Sequence, residues 1–263
     1  MTKIDREDIR IVSSHSNLSE QGIDEILKNQ IYSDKRSWVK FLKLLLISLG
    51  VGFTACGILF FFAYNWADLH KFIKIGMIEA IIIALTAVVL FSKLSQVNKN
   101  ILLTGTALII GVLFAVFGQI YQTGANAYDF FLGWTMFITL WVLVANFAPL
   151  WLLYIILLNT TLILYSEQVA YEWSTLYIFM LQFILNASFL LLFLYVKKKK
   201  DEVNVPNWFT HVLSLATVVI ATQGIIYGIF DSSRNFIFPL MLMTVVLYVF
   251  GIRYGLRSKS TFY

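Results

Sequence analysis

An all-α fold, a polytopic membrane bundle of about eight transmembrane helices with its N-terminus and C-terminus cytoplasmic, follows from three observations on the sequence. The 263 residues are 59% hydrophobic and only 13% charged, with a mean hydropathy of +0.77. Soluble domains carry about 25% charged residues, so here too little polar chain remains to cover a soluble core. The apolar residues are gathered into runs of the ~20 residues that a helix needs to cross a bilayer. The basic residues fall on alternate flanks of those runs, the bias that orients membrane helices.

Residues 1–43 form a short polar region with charges of both signs. Ile4, Ile9 and Val12, then Leu18, Ile23, Ile26 and Leu27, recur at helical steps. The spacing predicts two short amphipathic helices, with Ser19 as the N-cap of the second. A region of this length cannot build a core of its own, so it is expected to pack on the membrane face of the protein or on a protein partner. Its polar start is unlike a cleavable signal peptide, and the first apolar run is expected to stay as an anchor. Ser33 is the expected cap of a helix that runs through DKRSWVKFLK into the bilayer.

The predicted spans are 44–64, 73–91, 101–121, 129–146, 149–165, 176–196, 209–230 and 236–256. They divide into a six-span bundle over 44–196, a basic cytoplasmic linker over 197–208, and a two-span C-terminal hairpin with a short basic tail over 209–263. Only Asn146 to Pro149 separates the fourth span from the fifth, which leaves either a tight hairpin or two half-helices. With the N-terminus inside, thirteen cations lie on cytoplasmic flanks: Lys35, Arg36, Lys40, Lys43, Lys93, Lys99, Lys197 to Lys200, Arg253, Arg257 and Lys259. Three lie opposite, namely Lys71, Lys74 and Arg234. An odd number of helices would put the KKKK run and the C-terminal arginines on opposite sides. The same bias accounts for the net charge of +5 without invoking nucleic acid, and the expected environment is the lipid bilayer.

Motifs for chemistry are sparse. The single cysteine, Cys56, lies in the first apolar run, and His15, His70 and His211 are scattered. No HExxH, GxxxxGK[ST] or GxSxG occurs, so neither a metal, a cofactor nor a catalytic residue is expected. What remains are polar residues inside the spans, each costly in hydrocarbon unless it is paired. Glu79 lies about six residues into the second span, roughly 9 Å inward at 1.5 Å per residue. Gln119, Asn159, Gln182, Asn186, Thr222 and Gln223 fall at comparable levels in the outer half of later spans. Tyr121 ends the third span, and Asn65 and Asp68 follow the first.

Together these residues are the candidate ligand- or ion-binding set, with Glu79 as proton or cation acceptor. Interhelical hydrogen bonding is the structural alternative for every amide among them. In the segment FGQIYQTGANAYDFFLGW, Gly124 and Asn126 are expected to supply the permissive backbone of a turn, and Asp129 to cap the fourth span.

The stretches FFAYNW, KIGMIEA and FGQIYQTGANAYDFFLGW resemble the bacterial predicted-membrane-protein family called domain of unknown function 2157. The resemblance covers roughly residues 15 to 150 and rests most on Asn65, Trp66, Gln119, Tyr121 and Trp134. It implies a multi-pass protein of the bacterial inner membrane and carries no activity. Two functions are open. One is a small-molecule or ion transporter with a polar site in the extracytoplasmic half. The other is a non-transporting scaffold or sensor that binds a protein partner through residues 1–43.

Overall fold

The computed structural model describes residues 19, 21–22, 35–64, 70–121, 124, 126–199, 205–230 and 236–258. Among these, eight long helices follow one another: α1 (Lys35–Tyr64), α2 (Lys71–Phe91), α3 (Gln96–Tyr121), α4 (Ala127–Ala145), α5 (Ala148–Gln168), α6 (Thr175–Lys199), α7 (Asn207–Phe230) and α8 (Ile237–Ser258). Seven are long and apolar enough to cross a membrane, and the apolar stretch of α8, Ile237–Arg253, is shorter. The all-helical membrane fold stands, and the fourth and fifth spans are full helices rather than half-helices.

Two compact units divide the chain, residues 1–57 and 58–263. In the first, Ser19 Oγ accepts a hydrogen bond from the Gly22 N–H at 3.2 Å, the N-cap geometry its position predicts. The cap expected at Ser33 lies outside the described residues. Helix α1 begins with its cations, and Lys35, Arg36, Lys40 and Lys43 surround one shallow depression with Val39.

The second unit is built from antiparallel neighbours. Helices α2 and α3, α4 and α5, and α6 and α7 pack most extensively, as short connections between antiparallel helices lead one to expect. The core passes down the bundle in three clusters. Ala107, Ile110, Ile138, Val142, Leu150 and Leu157 join α3, α4 and α5. Ile155, Leu190, Phe193, Phe209 and Leu213 join α5, α6 and α7. Leu176, Phe183, Ala221 and Leu240 join α6, α7 and α8.

Lipid competes with apolar side chains for the same surface, so helices in a bilayer hold together by close packing and small residues. Helices α3 and α4 illustrate this. A Cβ added at Gly111 would lie 2.5 Å from Trp134 Cζ2, and one at Gly133 would lie 2.7 Å from Phe114 Cε1. Each helix thus lends the other a glycine and receives an aromatic ring in exchange.

The turns correct two details of the sequence reading. Gly124 does take a positive φ, +66°, but Asn126 is extended at φ −70° and is itself the N-cap of α4. Asp129 is the third helical residue, and its Oδ2 accepts the Asn126 N–H at 3.1 Å. The carboxylate therefore caps from inside the first turn, where the helix dipole also favours it. Between α4 and α5 the chain reverses over Asn146 and Phe147. Asn146 adopts the left-handed conformation at φ 42°, ψ 49°, and Pro149 sits in the first turn of α5, where its missing N–H costs nothing.

Candidate functional site

Of the candidate set, Asn159, Gln182 and Asn186 come together, at the seam between α5 and α6. The two asparagines face each other in a reciprocal amide pair. Asn186 Nδ2 donates to Asn159 Oδ1 at 2.8 Å, and Asn159 Nδ2 donates to Asn186 Oδ1 at 3.3 Å. Each side chain also turns back on its own helix. Asn159 Nδ2 donates to the Ile155 carbonyl at 2.8 Å, and Asn186 Nδ2 donates to the Gln182 carbonyl at 2.8 Å. An asparagine amide has only two N–H donors, so all four donors of the pair are committed within the bundle. Asn186 is 2% exposed. What the pair still offers is acceptor lone pairs in a buried place. Gln182 is buried one turn away, and its side chain makes no hydrogen bond among the described residues.

The other candidates lie elsewhere. Glu79 is exposed on α2, although its neighbour Ile78 is fully buried. It makes no hydrogen bond or ion pair among the described residues. Gln119 and Gln223 are exposed on α3 and α7. Thr222, beside Gln223, donates to the Val218 carbonyl at 2.8 Å. Tyr121 is 41% exposed, and its ring packs against Phe117 with centroids 4.5 Å apart. The Lys71 ammonium lies 6.0 Å from the Tyr121 ring centroid, a cation–π contact that ties the start of α2 to the end of α3. Asn65 and Asp68 lie outside the described residues.

Several polar contacts hold the bundle at positions outside the candidate set. Trp134 Nε1 donates to the Ala107 carbonyl at 2.7 Å, a bond possible because Gly111 leaves room for the indole. Asn100 is buried and donates to the Ala145 carbonyl at 3.4 Å, while accepting from Gln96 Nε2 at 3.0 Å. The Gln168 side chain accepts the Tyr128 N–H at 3.0 Å, joining the end of α5 to the start of α4. Lys74 on α2 is buried, 6% exposed, on the same face as Ile78. A helical wheel centred on Ile78 would have shown that Lys74 and Glu79 lie on different faces. The sequence alone did not say which face was the buried one.

The cavities among the described residues are mostly apolar. One groove of about 420 Å³ runs beside the α5–α6 seam, lined by Leu162, Leu181, Leu185 and Phe189 among others. A larger cleft lies between α6, α7 and α8. Trp151 Nε1 is buried at the edge of the α5–α6–α7 cluster without a hydrogen-bond partner among the described residues. No group of three or more His, Cys, Asp or Glu side chains positioned to hold a metal ion occurs among the described residues.

Comparison with known families matches residues 16–151 to the family described as Predicted membrane protein (DUF2157). The matched segment contains α1 to α4 and ends at the start of α5. No curated protein and no solved structure matches the chain.

Proposed function

The chain belongs to the DUF2157 family of predicted membrane proteins, and from that premise we propose that it is a non-transporting membrane scaffold or sensor of the bacterial inner membrane. In this reading the bundle is a packed anchor, and a protein partner binds residues 1–43 on the cytoplasmic side. The observation that carries the reading is the Asn159–Asn186 pair, whose four donors are all spent on the protein itself. A polar site for a solute needs groups left over to recognise it, and the two asparagines that pair inside this bundle have no donor left over. The basic cluster of Lys35, Arg36, Lys40 and Lys43 at the head of α1 supports a cytoplasmic attachment next to the partner region.

The test compares crosslinked partners of the full-length protein with those of a variant lacking residues 1–32 and of an Asn159→Leu/Asn186→Leu double variant. Loss of the partner set in the truncated protein alone is the expected result. Identical sets in all three proteins would count against the reading.

Glu79 gives transport its remaining support. A carboxylate exposed on a membrane helix is a place for a proton or cation to bind. Proton flux into proteoliposomes that disappears in Glu79→Gln, with folding unchanged, would favour the transporter over the scaffold.

A further inference from the structure

The cleft between α6, α7 and α8 has a volume of about 690 Å³, within the roughly 300–1,000 Å³ usual for small-molecule sites. Leu190, Leu194, Leu215, Val218 and Leu247 give it an apolar wall, and Lys198 stands at one end. From Leu190 to Lys198 the wall runs about 12 Å along α6 at 1.5 Å per residue, from the apolar depth of the bundle to its basic end.

Three successive lysines close α6, and their side chains are used differently. Lys197 Nζ donates to the Asn207 side chain at the start of α7. Lys199 Nζ donates to Tyr195 Oη at 2.9 Å and lies over the Tyr195 ring. Lys198 is exposed, lines the cleft, and has no partner among the described residues. Arg253, next to the lining residue Ile252, is also exposed and unpaired among the described residues. The cleft therefore joins an apolar slot to uncommitted positive charge at the level where a membrane helix emerges.

We propose that this cleft holds an anionic phospholipid, one acyl chain along the α6–α7–α8 wall and the phosphate against Lys198. The charge selects the headgroup, and the apolar wall selects a lipid over a soluble anion. Basic pockets between membrane helices bind anionic lipids by this combination. Gly251 lines the slot from α8, and a Cβ there would meet no atom within 4 Å. A larger side chain at that position would enter the slot without colliding with the bundle. The assignment is independent of the scaffold reading and holds equally for a transporter.

The experiment uses the full-length protein in mild detergent and native mass spectrometry. Phosphatidylglycerol and phosphatidylcholine with the same acyl chains are titrated separately. The wild type is expected to retain one phosphatidylglycerol at about five-fold lower lipid concentration than phosphatidylcholine, the worth of one basic residue near an anionic headgroup. Lys198→Gln is expected to erase that preference. Gly251→Leu is expected to reduce retention of both lipids while leaving the unfolding midpoint unchanged, and Leu215→Trp fills the same slot from α7 if the α8 variant folds poorly.

Equal retention of the two lipids by the wild type would overturn the proposal. So would wild-type retention of phosphatidylglycerol by both slot-filling variants. Conversion of a dimer to a monomer by those variants, with lipid retention unchanged, would assign the cleft to a second copy of the chain instead.

Discussion

Asn186 shows what a membrane bundle gains from an amide. Its two N–H groups are satisfied by Asn159 and by its own helix, so replacing it strands Asn159 in a poorly solvated place. Asn186→Leu is expected to lower stability by about 1–2 kcal/mol, with a coupling to Asn159→Leu nearer 0.6 kcal/mol. Unfolding in mixed micelles of the two single variants and the double variant measures both numbers. Additive effects would mean that the pair contributes nothing as a pair. Gly111→Ala is a steric test at the same scale. Its Cβ would collide with Trp134, and the expected cost is about 1–3 kcal/mol, read as a lower unfolding midpoint. Glu79 marks the limit of what the sequence reveals about single residues. Its depth follows from counting along the span, but its direction does not. The flanking isoleucines, Ile78 and Ile81 to Ile83, would suit either lipid or a neighbouring helix. Periodicity, the usual guide to a buried face, is therefore nearly silent here. Asn159 and Asn186 were legible as candidates, and their pairing across 27 positions was not.

At the scale of elements, the length of each apolar run was enough to find the eight long helices among the described residues, because the bilayer imposes a minimum span. Boundaries drifted where capping decided them. Helix α5 continues to Gln168, beyond the predicted end at 165, and α3 starts at Gln96, ahead of the predicted 101. Both extensions are in polar sequence, which a hydrophobic-span criterion does not see. The α4–α5 reversal is the most constrained connection. Asn146 occupies a left-handed conformation that asparagine and glycine tolerate and branched residues do not. Asn146→Gly is expected to leave stability within about 0.5 kcal/mol, and Asn146→Val to lower it by about 1–2 kcal/mol. A comparison of unfolding midpoints decides it, and equal midpoints would remove the backbone constraint from the account of the hairpin.

For the whole molecule, the charge distribution predicts an orientation that can be measured directly. With Cys56 replaced by serine, single cysteines at Lys93 and Lys198 are expected to react with an impermeant maleimide only from the cytoplasmic side, and one at Lys71 only from the opposite side. Labelling of both sets from one side would reverse or break the assignment. The order of the long helices was legible because apolar runs of span length stand apart from the polar chain between them. The disposition of helix faces was not, because lipid and protein interior ask for the same residues. The two-residue joint at Asn146 and Phe147 carries a consequence for biosynthesis. Between Lys99 and Lys197 the chain has no lysine or arginine, so α4 and α5 have no basic flank of their own. Joined so closely, they must enter the bilayer as one hairpin, and its direction is set by α3 made before it and α6 made after it. A nascent chain paused beyond α5 has only Lys99 and earlier charges to hold the hairpin in place until Lys197 to Lys200 are synthesised. Orientation in this half of the protein is handed along from helix to helix.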